Sequence, residues 1–159
     1  MPTRRNFILS MSALGASSAA WACPVPMRPE INAHHSVLML NAACGDSNNP
    51  NVFEPAISHV EIGDSITFIP TDSGHNAASK RGMIPAGAMP WNGAIDEEIT
   101  VEFRVPGIYG YICLPHYEMG MVGLVVVGGN LSNLDAVKKL RHPGSARKAF
   151  RSLLKQLQA

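Results

Sequence analysis

Residues 113–121 read Cys-Leu-Pro-His-Tyr-Glu-Met-Gly-Met, and this short stretch decides how the chain is interpreted. It places a thiolate, an imidazole and two thioethers in one loop, with Cys113 and His116 separated by only two residues. A second imidazole is available far upstream, in the pair His75-Asn76. Two His and one Cys in a plane, with a weak axial Met, are the ligand set of a blue-copper electron-transfer site. The stretch therefore predicts a single copper site rather than a substrate-converting centre.

Each ligand type has a chemical reason to be present. A thiolate suits Cu(I) and an imidazole suits both oxidation states, so a site that cycles between the two states needs both. Pro115 stiffens the loop and lacks a backbone N–H close to the sulfur. Asn76 lies beside the upstream histidine, and we expect its side chain to tie the two ligand segments together by hydrogen bonding.

The residues alone leave three alternatives open. Met119 is close enough on the loop to take the place of Met121 as axial ligand. Zinc prefers a tetrahedral site with more His or Cys ligands, and a thioether is a poor fourth ligand for it. A catalytic Cys113–His116 pair is conceivable, with Glu118 as the nearby carboxylate. The order of the four ligand types favours copper over zinc and over a cysteine hydrolase.

Further stretches extend the pattern along the chain. They read VLMLN at 37–41, VFEP at 52–55, GDSITFIP at 63–70, GHN at 74–76, MIPAGA at 83–88 and NLD at 133–135. Together with residues 113–121 they resemble the pseudoazurins, a family of small cupredoxins. The resemblance covers nearly all of the chain after an N-terminal leader.

The resemblance implies a complete ligand set for one type 1 copper ion: His75, Cys113, His116 and Met121. It favours Met121 over Met119 because the pseudoazurin ligand loop places its Met five residues after its His. The related amicyanins have a shorter loop and would use the Met119 position.

The middle of the chain has the alternation of β-strands. Apolar residues at 99, 101, 103 and 105 alternate with polar ones, and residues 60–68 behave similarly around a Gly63-Asp64 turn. Residues 109–112 lead into Cys113, and residues 121–127 form an apolar closing strand. We expect an all-β fold, a Greek-key antiparallel β-sandwich of the cupredoxin type, with two C-terminal α-helices.

The C-terminal tail changes to a helical period. Ser132 is the expected cap of a first helix, with Asp135 near its positive end. After the break at 142–144, Ser145 is the expected cap of a second helix. One face of that helix is apolar, and we expect it to pack on the sandwich while its basic residues face solvent.

The N-terminus reads as an export signal. Arg4 and Arg5 begin a twin-arginine-like pattern, an apolar segment follows, and Ala20-Trp21-Ala22 has the form of a cleavage site. We therefore expect residues 1–22 to be a cleaved signal and residues 23–159 to form a single plastocyanin-like copper-binding domain in the periplasm. A general secretory leader is the alternative. The apolar segment is short for a transmembrane span.

Composition fits a small exported domain. The full chain of 159 residues has 46% hydrophobic and 16% charged residues, which argues against disorder. Its formal charge is +1, and removal of the two leader arginines brings this to about −1. Nothing in this balance indicates a nucleic-acid partner. With Cys113 assigned to the metal, Cys23 and Cys44 are left, and an oxidising compartment would permit a disulfide between them.

The resemblance also implies an electron port at His116. We expect residues 83–86 and 89–91 to form an apolar surface around it, against which a nitrite reductase or a c-type cytochrome docks transiently while the protein stays monomeric. The chain lacks lysines that are common in the family, since Ser73 precedes Gly74 and Ile112 precedes Cys113. Only Lys80 and Arg81 are basic nearby, so we expect docking to be more hydrophobic than is usual in the family.

These patterns predict a periplasmic electron carrier with no catalytic residues of its own. A periplasmic copper carrier or chaperone is the alternative function, and it would exchange Cu(I) readily.

Overall fold

A computed structural model describes residues 34–158, which form two four-stranded sheets followed by two helices. The strands are β1 (His34–Ala43), β2 (Asp46–Glu54), β3 (Ile57–Val60), β4 (Ser65–Pro70), β5 (Ala78–Ser79), β6 (Ile99–Glu102), β7 (Gly107–Ile112) and β8 (Val122–Val127). The helices are α1 (Leu134–Lys138) and α2 (Ala146–Gln156). The predicted fold class, a β-sandwich with two C-terminal helices, is confirmed.

The strand order differs in one respect from a purely antiparallel sandwich. The first sheet has the order β2-β1-β4-β6 and the second has the order β3-β8-β7-β5. The pairs β1–β4 and β3–β8 are parallel, whereas the other pairs are antiparallel. The parallel pairs arise because the chain crosses between sheets. After β2 it passes through β3 in the second sheet, and β4 then returns beside β1 in the same direction.

Two apolar clusters hold the layers together. Between the sheets, the Tyr111 ring packs edge-on against Phe53 and Phe68, with ring centroids 4.7 and 4.9 Å apart. A second cluster fills the space between the other face of the second sheet and the helices, where Phe150 is buried. Strands β7 and β8 are therefore buried on both faces. The loop at residues 113–121 is consequently anchored at both ends by strands that are closely packed on both faces.

The predicted alternation is confirmed in β6, where Ile99 and Val101 point inward and Thr100 is exposed. It fails at Ile62, which is 55% exposed and lies in the turn after β3 rather than in a strand. The turn at Gly63, with φ of +97°, ends the strand before the alternation reaches Ile62.

The helices follow the predicted pattern except at their N-termini. Ser145 precedes α2 as predicted, but its side chain makes no capping hydrogen bond. In α2, Ala146, Phe150 and Leu154 are buried as expected. The residue that precedes α1 is Asn133 rather than Ser132, and its side chain does not cap the helix. Instead, Asn133 Oδ1 accepts the Ile108 N–H and Asn133 Nδ2 donates to the Ile108 carbonyl, both at 2.8–2.9 Å. A strand contact thus replaces the cap.

The predicted export signal, residues 1–22, and Cys23 lie outside the described residues. Cys44 is disulfide-bonded, but the pairing with Cys23 stays a prediction. Within residues 34–158, neither helix has the length and apolar character needed to cross a bilayer.

Candidate metal centre

The ligand loop is closed by the pairing of β7 with β8. Ile112 and Val122 are the last pair of this antiparallel ladder, so the residues beyond them, Cys113 and Met121, lie opposite each other. The Cys113 N–H donates to the Met121 carbonyl at 3.1 Å, and the Met121 N–H donates to the His116 carbonyl at 3.2 Å. The loop from 113 to 121 therefore returns on itself over the end of the sandwich.

The fold brings the upstream histidine to the same place. His75 Nδ1 lies 3.7 Å from Cys113 Sγ and 3.1 Å from His116 Nδ1, and Cys113 Sγ lies 3.5 Å from His116 Nδ1. A point equidistant from three atoms with these separations lies about 2.0 Å from each, within the range of metal–imidazole and metal–thiolate bonds of about 2.0–2.3 Å. The three donor atoms fit around one metal ion. Among residues 34–158 this is the one such grouping of His, Cys and acidic side chains.

The four predicted metal ligands differ in how far they are buried. His75, Cys113 and Met121 are fully buried, whereas His116 is half-buried and retains an edge toward solvent. The rival methionine, Met119, is 58% exposed. The two candidate thioethers therefore differ in environment, since Met121 is inside the protein and Met119 is at its surface.

Asn76 ties the two ligand segments together, as the sequence predicted. Its Oδ1 accepts the Leu114 N–H at 2.8 Å, and its Nδ2 donates to the Gly93 carbonyl at 2.9 Å. Asn76 is 1% exposed, so both bonds are shielded from water. The side chain fixes the segment around His75 against the residue that follows the ligand cysteine.

Sequence reasoning missed Asn41. His75 Nε2 is 3.0 Å from Asn41 Oδ1, so the ring donates from Nε2 and keeps its Nδ1 lone pair for a metal. Asn41 is itself fixed by its backbone N–H, which donates to Asp72 Oδ2 at 2.7 Å. The contact joins residues 34 positions apart, so local patterns could not reveal it. The only signal in the sequence was the place of Asn41 at the end of the family-like stretch 37–41.

Without a metal, the surroundings favour the uncharged form of the His75 imidazole and the protonated form of the Cys113 thiol. Burial, followed by the neighbouring His116 ring, lowers the pKa of His75, while Asp72 and Asp96 oppose this shift. Burial raises the pKa of the Cys113 thiol, and the backbone N–H groups of Asn76 and His116 partly offset the rise. A bound cation would reverse the penalty on the thiolate, since a coordinating thiol is deprotonated. The donor set therefore favours a metal over a free reactive cysteine.

The surface around His116 differs from the prediction in its membership. Met83 and Pro85 are buried. Met83 fills the space above Gly110, where a Cβ would lie only 2.5 Å from the Met83 methyl carbon, and Pro85 packs on Gly107 in the same way. Ala86, Met89 and Pro90 are exposed as expected, and the surface gains two apolar members from the ligand loop itself, Leu114 and Met119, each more than half exposed.

A further histidine, His142, lies in the break between the two helices and is buried. His142 is 6% exposed, and its Nδ1 is hydrogen-bonded to the Tyr117 hydroxyl at 2.7 Å. Burial, followed by the nearby Lys80 ammonium, lowers the pKa of His142. The Lys80 ammonium also lies 5.3 Å from the centre of the Tyr117 ring. These side chains support the ligand loop from the helical side.

Comparison with known proteins decides the family. Residues 41–128 match the model of the copper-binding proteins of the plastocyanin/azurin family. The pseudoazurin of Paracoccus pantotrophus is 41% identical over 141 residues, covering 89% of this chain and 95% of the relative. The chain belongs to the pseudoazurin family.

Solved structures give the same answer for the fold. The pseudoazurin of Methylobacterium extorquens AM1 is 42% identical, with a TM-score of 0.74, over 79% of this chain and 100% of that one. The pseudoazurin of Hyphomicrobium denitrificans is 40% identical, with a TM-score of 0.73, over 78% and 98%. Membership of this family identifies copper as the cofactor of the cupredoxin site formed around His75, Cys113 and His116.

Proposed function

We propose that this pseudoazurin-family protein is a periplasmic carrier of single electrons and not an enzyme. The observation that carries the proposal is the geometry of His75, Cys113 and His116, whose donor atoms lie 3.1–3.7 Å apart at a buried site with one exposed imidazole edge. Copper bound there supplies a one-electron redox couple. Two sheets buried against each other and against α2 hold the donor atoms, which limits their movement between oxidation states.

The proposed ligands are His75, Cys113, His116 and Met121. His75 is oriented by Asn41 and sealed from solvent, so it contributes a fixed imidazole. Cys113 contributes the thiolate. His116 contributes the second imidazole and the route by which electrons enter and leave, because it is the only one of the four with an exposed edge. Met121 is the axial thioether.

An absorption and paramagnetic-resonance spectrum after Cu(II) is added to the mature protein tests the proposal. We expect an intense thiolate-to-copper band near the red end and narrow hyperfine splitting. A colourless protein, or the signal of ordinary tetragonal Cu(II), would mean that Cys113 is not a ligand and would overturn the proposed site.

Two methionine variants test the axial position. Met121→Leu should raise the reduction potential, because loss of the thioether donor disfavours Cu(II), and should cost less than about 1.5 kcal/mol of stability, since the side-chain volume is nearly conserved. Met119→Leu is the matched control and should leave the potential unchanged. Voltammetry distinguishes the two, and the opposite pattern would assign the axial role to Met119.

We further propose that the partner is a periplasmic redox protein, a nitrite reductase or a c-type cytochrome, that docks transiently on a monomer around His116. Support comes from exposed apolar side chains: Leu114 and Met119 lie in the same loop as His116, and Met89 lies in the segment predicted to surround it. The twin-arginine-like leader in the sequence supports export. Edman sequencing of the protein purified from a periplasmic fraction would test both export and cleavage after residue 22.

A copper carrier or chaperone remains the second candidate. The full burial of Cys113 and Met121 argues against it, because an exchangeable site needs access to the metal. Transfer of Cu(I) to a chelator within seconds would support the carrier, whereas retention over hours, together with rapid electron exchange with hexacyanoferrate, would support the shuttle.

A further inference from the structure

Charge is divided unequally between the sandwich and the helical tail. Residues 34–133 carry three Lys and Arg against ten Asp and Glu, whereas residues 134–158 carry seven Lys and Arg against one Asp. The described part of the molecule is therefore strongly bipolar although its total charge is close to zero. Such a separation orients a charged partner as it approaches.

The basic end contains a groove. A cavity of about 350 Å³ lies between α1 and α2, with an apolar floor that includes Val137, Phe150 and Leu154. Its walls carry four cationic side chains, Lys138, Arg147, Arg151 and Lys155. An apolar floor beneath a cationic rim fits a ligand that has both apolar and anionic groups.

The cations form a row rather than a cluster. Arg147, Arg151 and Lys155 are four residues apart and so follow one face of α2. At a rise of 1.5 Å per residue, the row extends over about 12 Å. Lys138 faces it from α1, where its ammonium donates to Gln158 Oε1 at 2.7 Å. A ligand with a single anionic group would use one member of this row, whereas a segment with several carboxylates would use all of it.

The groove is linked to the loop at residues 113–121 through His142. His142 lines the groove, and its Nδ1 lies 2.7 Å from the hydroxyl of Tyr117, the residue that follows His116. Arg147 Nε donates to the His142 carbonyl at 3.4 Å. A segment bound in the groove would therefore contact the side chains that support the loop of the proposed electron port.

We propose that the groove between α1 and α2 is a docking site for an acidic, partly apolar polypeptide segment of the redox partner. This proposal rests on the proposed electron-carrier function and adds to it an electrostatic contact that the lysine-poor surface around His116 lacks. A flat anionic bilayer is a poorer match, because the apolar floor is recessed between two helices. Complementary charge steers such a partner and gives the association its dependence on ionic strength.

The test compares two double variants of equal net charge. Arg151→Glu with Lys155→Glu reverses two groove cations, and Lys139→Glu with Lys148→Glu reverses two exposed cations that do not line the groove. The probe is an acidic peptide of alternating glutamate and leucine, titrated into isotopically labelled, full-length mature Cu(I) protein and followed by amide chemical shifts. All four side chains are exposed, so both variants should fold.

We expect the groove variant to bind the peptide at least about fivefold more weakly than the control variant, with shifts in the wild type confined to α1 and α2. Equal weakening in both variants, or shifts elsewhere, would overturn the proposal. A third result would also overturn it. If the wild type does not bind the peptide but binds vesicles of anionic phospholipid, and the groove variant loses this vesicle binding, a membrane is the occupant of the groove.

Failure of the proposed function has a different signature. If the protein does not form a blue-copper site, its absorption spectrum will show this while peptide binding to the groove persists in the metal-free protein. If only the groove proposal fails, the blue band and the exchange of electrons with hexacyanoferrate will remain intact in every variant.

Discussion

The two segments that meet at the metal centre are built in different ways. The upstream segment, Gly74-His75-Asn76, presents a fully buried imidazole that is hydrogen-bonded to the Asn41 amide, and the side chain of the adjacent Asn76 makes two further hydrogen bonds. The downstream loop, residues 113–121, has a buried Cys113 but a half-exposed His116 and exposed apolar side chains. The upstream segment holds its imidazole inside the protein, and the downstream loop both offers donor atoms and leaves one imidazole edge exposed. An electron carrier needs this difference, because a site that is rigid throughout its interior must still present one conducting edge.

The largest effect is expected on the thiolate, which belongs to the downstream loop. Cys113→Ser should abolish the red thiolate-to-copper band completely, because serine supplies no sulfur donor and the remaining imidazoles form an ordinary Cu(II) site. Absorption spectroscopy of the copper-loaded variant is the measurement. Survival of an intense red band would show that the thiolate of Cys113 is not the source of the colour.

The second largest effect is expected at Asn76, whose side chain joins the two segments. Asn76→Ala removes the acceptor of the Leu114 N–H and the donor to the Gly93 carbonyl, both at a fully buried position. We expect the free energy of unfolding of the copper-free protein to fall by about 2 kcal/mol, since the Leu114 N–H and the Gly93 carbonyl lose their partner at a part-buried contact. Denaturant titration measures this. Asn92→Ala, at an exposed neighbour whose bond to Asn76 is long at 3.5 Å, is the control and should cost much less.

The contact that orients the upstream imidazole should have a smaller effect. Asn41→Ala removes the acceptor of the His75 Nε2 hydrogen bond, so the ring loses a fixed orientation and part of its basicity. Loss of such a partner typically weakens metal binding by 10–100-fold. Because Asn41 is exposed and water can replace it, we expect about tenfold, the lower end.

Competition titration of Cu(I) against a chelator would measure this loss of affinity. Asn41→Asp retains an acceptor oxygen and should restore most of the affinity. If Asn41→Ala binds copper as tightly as the wild type, the upstream segment is held by its backbone alone and the contrast between the segments is weaker than we infer.

The contrast also explains what the sequence could predict. The downstream loop is contiguous, so its ligands, the strand before it and the strand after it could be inferred from local order. The buried face of α2 could be inferred from the helical spacing of its apolar residues. Asn41, His142 and the burial of Met83 were not visible, because each depends on residues brought together from distant positions. The parallel pairs β1–β4 and β3–β8 were missed for the same reason, since alternation does not encode strand direction.

The smallest effect concerns pH and reaches only the downstream loop. Tyr117 of this loop is hydrogen-bonded to a titratable group, His142. The pKa of His142 is lowered from the ordinary 6.5 by burial and then by Lys80. Above pH 6.5 the imidazole is neutral in both folded and unfolded chains. As the pH falls below this value the unfolded chain takes up a proton first, so the free energy of unfolding decreases until the folded pKa is passed.

His142→Asn isolates this contribution, because the Asn carbonyl can accept the Tyr117 hydroxyl but does not titrate. We expect the variant to lose less stability than the wild type between pH 7 and pH 5, measured by denaturant titration of the copper-free protein, in which His75 titrates equally in both chains. The difference should be smaller than the cost of Asn76→Ala. Parallel pH profiles would mean that the downstream loop does not depend on the charge state of His142, and that its support resides in the apolar packing of α2 against β8.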